Sequence, residues 1–223
     1  MPFTATQIKW FRRKVKTWAK IHLRDFPWRN TKDPYSILVA EFLLQKTDVN
    51  TALPLYQELM EKYPTIQVLS EAPLSELAEF FQPLGLHFRA TRLHKSALAI
   101  VEDYGGKVPN NEAQLLALPG VGKYTARALL ANAFNRPLAV LDTNIARIFE
   151  RFFGLRGGRV KSRDPLLWNS AQEAAPKTKV AVWNLTLIDF GAAVCTARNP
   201  RCSQCPLSDK CEYRAEAFDR ISS

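Results

Sequence analysis

The sequence predicts an all-α protein of about ten short helices. Apolar residues recur at helical spacing along most of the 223-residue chain, and no segment alternates apolar and polar residues for long enough to require a β-sheet. Glycine pairs and prolines interrupt the helical pattern at short intervals, as the ends of short helices require. These interruptions lie at 105–106, 157–158, Pro64, Pro73, Pro109 and Pro137.

The first predicted helix spans residues 6–22, where the apolar face consists of Ile8, Phe11, Val15, Trp18, Ala19 and His22. A polar connection rich in proline follows. Asp33 and Pro34 then have the form of an N-cap followed by proline at the first helical position, so a second helix starts there. Further helices are predicted at 50–62, 74–81, 87–104, 112–117, 123–134, 144–153, 165–174 and 178–193.

Composition narrows the classes of protein and of partner. Hydrophobic residues make up 47% of the chain, which is enough for a packed core. No apolar run approaches the ~18 residues of a membrane span, and the first residues do not form a secretion signal. We therefore expect an intracellular, cytoplasmic protein that is not a membrane protein. The net charge of +10 favours a polyanionic partner, either nucleic acid or an anionic membrane surface.

All four cysteines lie within 17 residues, in the order Cys195, Cys202, Cys205 and Cys211. Disulfides are not expected in an intracellular chain, so this spacing indicates metal ligands. Structural zinc sites usually combine two tight cysteine pairs, and only one pair is tight here. A cubane iron–sulfur cluster suits four thiolates on a wider loop. The residues alone leave zinc and a cluster as alternatives.

A glycine-rich turn, LPGVGKYTA at 118–126, connects two predicted helices. Gly120 and Gly122 allow a tight reversal of the chain, after which backbone N–H groups can point at an anion. Such a turn would bind DNA phosphates without reading sequence. An ordinary connection between helices is the alternative interpretation.

Glu41 is the one polar residue in the apolar run ILVAEFLL at 37–44. Burial of its carboxyl would raise the pKa, and a carboxyl that keeps its proton near neutral pH can act as a general acid. A buried glutamate paired with an arginine or a backbone group is the alternative.

Asp142 follows a second apolar run, at 138–141, and precedes a predicted helix. The simplest interpretation is an N-cap. The alternative is an ionised carboxylate that faces developing positive charge, as in the oxocarbenium-like sugar of glycosidic bond cleavage.

Taken together, these motifs resemble those of the helix-hairpin-helix DNA glycosylases of the endonuclease III and adenine glycosylase superfamily. LPGVGKYTA resembles the hairpin, at about 113–132, and Asp142 in VLDTN resembles the catalytic aspartate that follows it. The four cysteines match the spacing of the family's [4Fe–4S] loop at 195–211. The resemblance covers about residues 20–213, with the motifs in the family's order.

The resemblance implies a two-lobed endonuclease III-like fold. A six-helix barrel lobe would span 30–135, and an iron–sulfur cluster lobe would combine 1–29 with 136–223. Double-stranded DNA carrying a mismatched or damaged base would bind the protein, which we expect to act as a monomer near the nucleoid, and the target base would be flipped out of the helix.

The resemblance also implies residues that contact DNA. Gln45 and Leu86 resemble side chains that fill the gap left by a flipped base, although surface packing is the alternative for both. The remaining candidate DNA-binding residues belong to the hairpin. They are Leu118, Gly120, Val121, Gly122, Lys123 and Thr125.

Strand-cutting members of the family carry a lysine nucleophile two residues after the second hairpin glycine, where this chain has Tyr124. Lys123 is adjacent, but one step along a helix rotates a side chain by ~100°. The resemblance therefore implies an enzyme without strong AP-lyase activity, in which Asp142 stabilises the sugar cation and orients water, and Tyr124 lines the pocket.

The resemblance is closest to G:T mismatch thymine-DNA glycosylases, which share Glu41 and Tyr124. Gln45-Lys46-Thr47 departs from the Gln-Gln-Thr common in adenine glycosylases. We therefore expect excision of thymine or uracil opposite guanine, with adenine opposite guanine or oxidised guanine as the alternative and another lesion as a third. A non-catalytic DNA-binding protein and an electron-transfer protein are rivals from other classes.

Overall fold

The computed structural model describes residues 3–85 and 88–215, apart from the side chain of Leu84, and all regular secondary structure within these ranges is helical. The all-α prediction is confirmed. Eleven α-helices are complete within the described ranges, namely α1 (Ala5–His22), α2 (Pro34–Leu43), α3 (Val49–Lys62), α4 (Ile66–Ser70), α5 (Leu74–Phe81), α6 (Phe88–Tyr104), α7 (Glu112–Ala117), α8 (Lys123–Asn132), α9 (Thr143–Phe153), α10 (Pro165–Ala174) and α11 (Val180–Ala193). A further helix starts at Glu212 and continues to the end of the described residues.

The helix bounds agree with the predicted ones to within two residues, except that α4 was not predicted. With five residues, α4 is too short to show a helical repeat, and its N-cap is Thr65, whose hydroxyl accepts a hydrogen bond from the N–H of Val68. The prediction for His22 is wrong. Its side chain is exposed and stacks on Trp18, with the ring centroids 4.8 Å apart.

The chain divides into two compact units. One comprises the residues up to Arg24 together with those from Asn135 onwards, and the other comprises Asp25–Phe134. We call the first the discontinuous unit and the second the central unit. No helix in the described ranges is long and apolar enough to cross a membrane.

The central unit contains α2 to α8. Helix α2 begins as predicted, because Asp33 accepts hydrogen bonds from the N–H groups of Tyr35 and Ser36 and Pro34 occupies the first helical position. Nearly all of α2 is buried, and Phe42 and Leu43 lie in the core of the unit. Helix α2 is therefore a rigid support for the turn that follows it.

The discontinuous unit contains α1 and α9 to α11 around an aromatic core. Phe11 of α1 lies edge-on to Trp183 of α11, with centroids 5.7 Å apart, and packs on Phe152 of α9 at 5.0 Å. Arg24 binds Asp189, a buried carboxylate on α11, through its backbone N–H and its guanidinium. These aromatic contacts fix the C-terminal half of α9 in the discontinuous unit.

Candidate nucleic-acid interface and catalytic residues

The glycine-rich connection between α7 and α8 is a tight turn whose helices are braced against each other. Arg127 on α8 forms an ion pair with Glu112 on α7, with Nε and Oε1 2.8 Å apart. Helix α8 starts at Lys123, and no side chain caps its N-terminus. An uncapped helix start presents backbone N–H groups and the positive end of the helix dipole, which together favour an anion.

The two hairpin glycines serve different needs. Gly120 has a φ of +84°, and a Cβ there would lie 2.9 Å from both Arg92 Cβ and Phe42 Cε1, so the fold itself requires glycine. Gly122 has an extended backbone, with φ −96° and ψ 176°, and a Cβ there would meet nothing within 4 Å. The fold itself does not require glycine at 122. A close approach by another molecule at this residue would require it.

The predicted contact residues of the hairpin differ in exposure. Leu118, Val121 and Thr125 are buried, so only their backbone groups can face DNA. Lys123 is exposed, and burial of its amine together with the charge of Arg127 lowers its pKa. The hairpin therefore offers backbone donors and one lysine, with little side-chain chemistry that could read a base.

Gln45 lies in the turn after α2 and reaches the hairpin. Its Nε2 donates to the carbonyl oxygen of Gly120 at 3.2 Å. Arg89, a fully buried residue on α6, binds the backbone of the same turn. No sequence motif marks this residue. Leu86, the other predicted wedge, lies outside the described residues.

Glu41 and Tyr124, the other candidate residues of the central unit, are both half-buried. Glu41 is the one residue between Tyr35 and Leu43 on α2 that is not buried. Tyr124 is the second residue of α8, next to the exposed Lys123. The difference in exposure between residues 123 and 124 follows from the rotation of the helix by ~100° per residue.

Asp142 is the N-cap of α9. Its Oδ1 accepts a hydrogen bond from the N–H of Ile145 at 2.7 Å, and its Oδ2 accepts one from Asn144 Nδ2 at 2.8 Å. Burial raises the pKa of Asp142, while these two donors and the charge of Arg147 lower it. The residue is half-buried, and a carboxylate can accept about four hydrogen bonds, so the cap leaves capacity for a ligand.

A chain of contacts runs from Asp142 to the cysteine segment. Asn144 Oδ1 accepts a hydrogen bond from Arg147 at 2.7 Å, and Arg147 Nε donates to the carbonyl oxygen of Cys195 at 2.6 Å. Gly191 of α11 packs directly on Asn144, where a Cβ would lie 2.6 Å from the asparagine Cβ. Asn144 and Arg147 are site residues that the sequence prediction did not include.

The four cysteines are half-buried and reduced, on a segment of short turns after α11. Burial raises the pKa of Cys205 to about 11, and the charges of the other three cysteines contribute to this value, which shows that the thiols are neighbours. Arg151 Nη1 lies 3.6 Å from Cys195 Sγ and also donates to the carbonyl oxygen of Thr196. An arginine at a sulfur offsets the negative charge that the group acquires when it binds metal.

This donor set fits an iron–sulfur cluster better than a single ion. Over residues 3–85 and 88–215, no three histidine, cysteine or carboxylate side chains are placed to hold one metal ion. Thiols that are close neighbours but do not converge on one point suit a group of several iron atoms. Metal ligation would deprotonate these thiols and tie together a segment that has few backbone hydrogen bonds to the helices.

Comparison with known proteins decides the family. Residues 39–170 match the model of the HhH-GPD superfamily of base excision DNA repair proteins. The chain belongs to this superfamily. Residues 195–211, the segment that contains the four cysteines, match the iron-sulfur binding domain of endonuclease III, and the prediction of a [4Fe–4S] cluster is confirmed.

Individual HhH-GPD relatives are similar over almost the whole chain. The thymine/uracil-DNA glycosylase of Methanothermobacter thermautotrophicus is 38% identical over 200 residues, covering 89% of this chain and 90% of the relative. The adenine DNA glycosylase of Mycolicibacterium smegmatis is 37% identical over 207 residues, covering 92% and 70%. The solved structure of a thermostable thymine-DNA glycosylase superposes with a TM-score of 0.88 at 36% identity, covering 95% and 98%. The chain is thus a DNA glycosylase of base excision repair with an endonuclease III-like fold.

Proposed function

We propose that this HhH-GPD protein is a monofunctional glycosylase that removes thymine or uracil opposite guanine from double-stranded DNA by hydrolysis. The observation that carries the proposal is the combination of a half-buried carboxylate at Asp142 with tyrosine, rather than lysine, at position 124. The carboxylate supplies what a sugar cation needs, and no amine is present at 124 to attack the sugar and cut the strand.

The substrate base is inferred from relatives and from the turn after α2. The Methanothermobacter relative and the thermostable solved structure are thymine or thymine/uracil glycosylases by name. Gln45-Lys46-Thr47 also departs from the Gln-Gln-Thr of adenine enzymes, and Lys46 adopts a left-handed backbone with φ +57°. Adenine opposite guanine or oxidised guanine is the second candidate, because the Mycolicibacterium relative is almost as similar in identity.

In the proposed reaction, the flipped nucleotide loses its base through cleavage of the N-glycosidic bond, whose electron pair leaves with the base. The ionised Asp142 stabilises the positive charge that develops on the sugar. Water then adds to the anomeric carbon, and its proton ends on the departed base. Asp142 also orients this water, Tyr124 lines the pocket, and Glu41 hydrogen-bonds the base or the water.

We propose that the hairpin binds the phosphate backbone of DNA and that Gln45 enters the base stack. The uncapped start of α8 and the open space at Gly122 support phosphate binding by the hairpin. Leu86 remains a second proposed wedge. We propose that the protein acts as a monomer on chromosomal DNA inside the cell, with the central unit and the discontinuous unit as the barrel and cluster lobes.

A panel of duplexes tests the proposal. Duplexes carrying G:T, G:U, A:G, adenine opposite oxidised guanine, or an oxidised pyrimidine are incubated with the protein and then treated with hot alkali. We expect breaks in the G:T and G:U duplexes only after alkali. Breaks without alkali would contradict monofunctional chemistry, and breaks in the adenine duplexes alone would favour the second candidate. Duplex binding without breaks in any duplex would indicate a non-catalytic binder.

A further inference from the structure

The turn after α2 has an unfavourable backbone conformation that something must hold. Lys46 has a φ of +57°, although it is not a glycine, and this left-handed conformation is unfavourable for a residue with a Cβ. Within the turn, Thr47 N–H donates to the carbonyl oxygen of Leu44 at 3.3 Å, and the Thr47 hydroxyl donates to that of Gln45 at 3.3 Å. Both contacts are long, so they are weak support for a strained turn.

Arg89 on α6 supplies the stronger contacts. A single nitrogen, Nη1, donates to the carbonyl oxygens of Leu43 at 3.1 Å and Gln45 at 2.8 Å, and to Thr47 Oγ1 at 2.7 Å. The residue is fully buried, with its guanidinium 5.9 Å from the centre of the Phe81 ring. One cation thus binds the end of α2, the backbone of Gln45 within the turn, and Thr47 where the turn ends.

The face of α6 that carries Arg89 also touches the hairpin. Ser96, buried two helical turns further along, donates to the carbonyl oxygen of Pro119 at 2.7 Å. Arg92, between them, lies against Gly120. The carbonyl oxygen of Gly120 in the hairpin accepts a hydrogen bond from the side-chain amide of Gln45. Helix α6 therefore fixes both segments that are proposed to contact DNA, and Arg89 fixes the one that would enter the base stack.

Stability alone is a weak reason for such an arginine. Burying a guanidinium costs several kcal/mol, and apolar residues of similar volume often replace buried ions at no cost to stability. An apolar residue cannot bind two carbonyl oxygens and a hydroxyl at once. The three contacts of the arginine specify one conformation of the turn. The contacts of Arg89 therefore fit a demand for a specific backbone geometry at Gln45.

We propose that Arg89 is a positioning residue that presets the Gln45 turn for entry into the DNA base stack. The inference rests on the proposed DNA-contacting role of Gln45. It extends that proposal, because a buried residue that would never touch DNA holds the turn in the conformation that DNA entry needs. A side chain that must enter a base stack gains from being held in position beforehand, since misplacement by about 1 Å can cost a hundredfold in rate.

The test compares Arg89→Lys with Arg12→Lys as a matched control. Arg12 also binds three backbone carbonyl oxygens at the end of a helix, those of Glu173, Ala174 and Ala175, but in the discontinuous unit. Thr47→Val removes one acceptor of Arg89 without removing the cation. 2-Aminopurine placed beside a G:T mismatch reports opening of the base stack, and single-turnover rates report excision.

We expect Arg89→Lys to lower both stack opening and excision by about tenfold or more, with Thr47→Val weaker in the same direction and Arg12→Lys near wild type. In a Gln45→Ala background, Arg89→Lys should cause no further loss, because the turn then has nothing to position. Melting temperatures and affinity for undamaged duplex identify a general loss of fold.

Three outcomes would overturn the inference: full activity in Arg89→Lys, equal losses in Arg12→Lys, or an undiminished penalty in the Gln45→Ala background. These outcomes are distinct from failure of the proposed function. If the wild-type protein cut no duplex, the 2-aminopurine signal would still show whether Arg89 controls stack opening through Gln45.

Discussion

Asn144 donates a hydrogen bond from Nδ2 to Oδ2 of Asp142 over 2.8 Å. The orientation of that amide is not free, because its other atom, Oδ1, accepts a hydrogen bond from Arg147, which can only donate. Arg147 is itself bound to the carbonyl oxygens of Cys195 and Gly191. The cysteine segment therefore helps to decide which atom of Asn144 faces the carboxylate.

We predict that Arg147→Lys lowers single-turnover excision by about tenfold to a hundredfold, because a lysine cannot bind Asn144 and the two carbonyl oxygens together. Arg151→Lys is the control, since Arg151 contacts the same cysteine segment through Thr196 and Ala197 but not Asn144. The visible absorbance of the cluster should persist in both variants. Equal losses in the two variants would show that the cluster segment, not the link to Asn144, is what matters.

The acid limb of the pH profile should lie above the ordinary pKa of an aspartate. Burial raises the pKa of Asp142, and the ionised form is the one that stabilises a cation, so excision should fall as pH falls through this raised value. Asn144→Leu removes a donor to the carboxylate and should move the limb to higher pH. A limb at or below the value of a free aspartate, about 3.9, would contradict this account.

The same shift has a consequence for stability. A carboxyl whose pKa is higher in the folded state binds more protons there than in the unfolded chain. The free energy of unfolding therefore decreases as pH rises from the ordinary value through the raised one. Asp142→Asn should remove this decrease while keeping an acceptor for the N–H of Ile145, and chemical denaturation at several pH values measures it.

Tyr124→Lys should create strand-cutting activity, which the proposed monofunctional chemistry does not include. The half-buried position of residue 124 would lower the pKa of a lysine there, and an unprotonated amine can attack the sugar. Borohydride should then trap a covalent complex of the variant with DNA. Trapping of the wild-type protein, followed by its loss in Lys123→Ala, would show instead that Lys123 is a nucleophile.

The two hairpin glycines should separate folding from DNA binding. Gly120→Ala should lower the free energy of unfolding by more than about 1 kcal/mol, because φ is positive and the new Cβ would collide with Arg92 and Phe42. Gly122→Ala should leave stability unchanged, because its Cβ would meet no protein atom within 4 Å. It should weaken binding to any duplex by about tenfold, because we propose that a DNA phosphate approaches the hairpin there. Unchanged affinity in Gly122→Ala would remove the hairpin from the interface.

The sequence predicted the helices well because each is long enough to show a periodic apolar face or a clear start signal. Asp33 with Pro34 marks the start of α2, and the N-cap interpretation of Asp142 is what the structure has. Helix α4 was missed because five residues do not make a pattern. His22 was placed in the core on periodicity alone, although it lies at the exposed end of α1.

The candidate site was harder to predict from the sequence, because the residues that hold its side chains in place come from distant segments. Arg89 binds residues 42 to 46 positions away, and Arg147 binds Cys195 48 positions away. Arginines are usually solvated, so nothing in the local sequence marks these two as ligands of backbone carbonyls. In contrast, the need for glycine at 120 could be predicted, because a glycine in a tight turn often has a positive φ. The structure has this positive φ, with close neighbours around the residue.

Excision by Asp142→Asn under single-turnover conditions is the sharpest test of whether the ionised carboxylate of Asp142 stabilises a sugar cation. Asparagine keeps the cap of α9 and the size of the side chain but carries no charge. We predict that the rate constant on a G:T or G:U duplex falls by about three orders of magnitude or more, while duplex affinity and cluster absorbance stay at wild-type values. A rate within a few-fold of wild type would contradict the account.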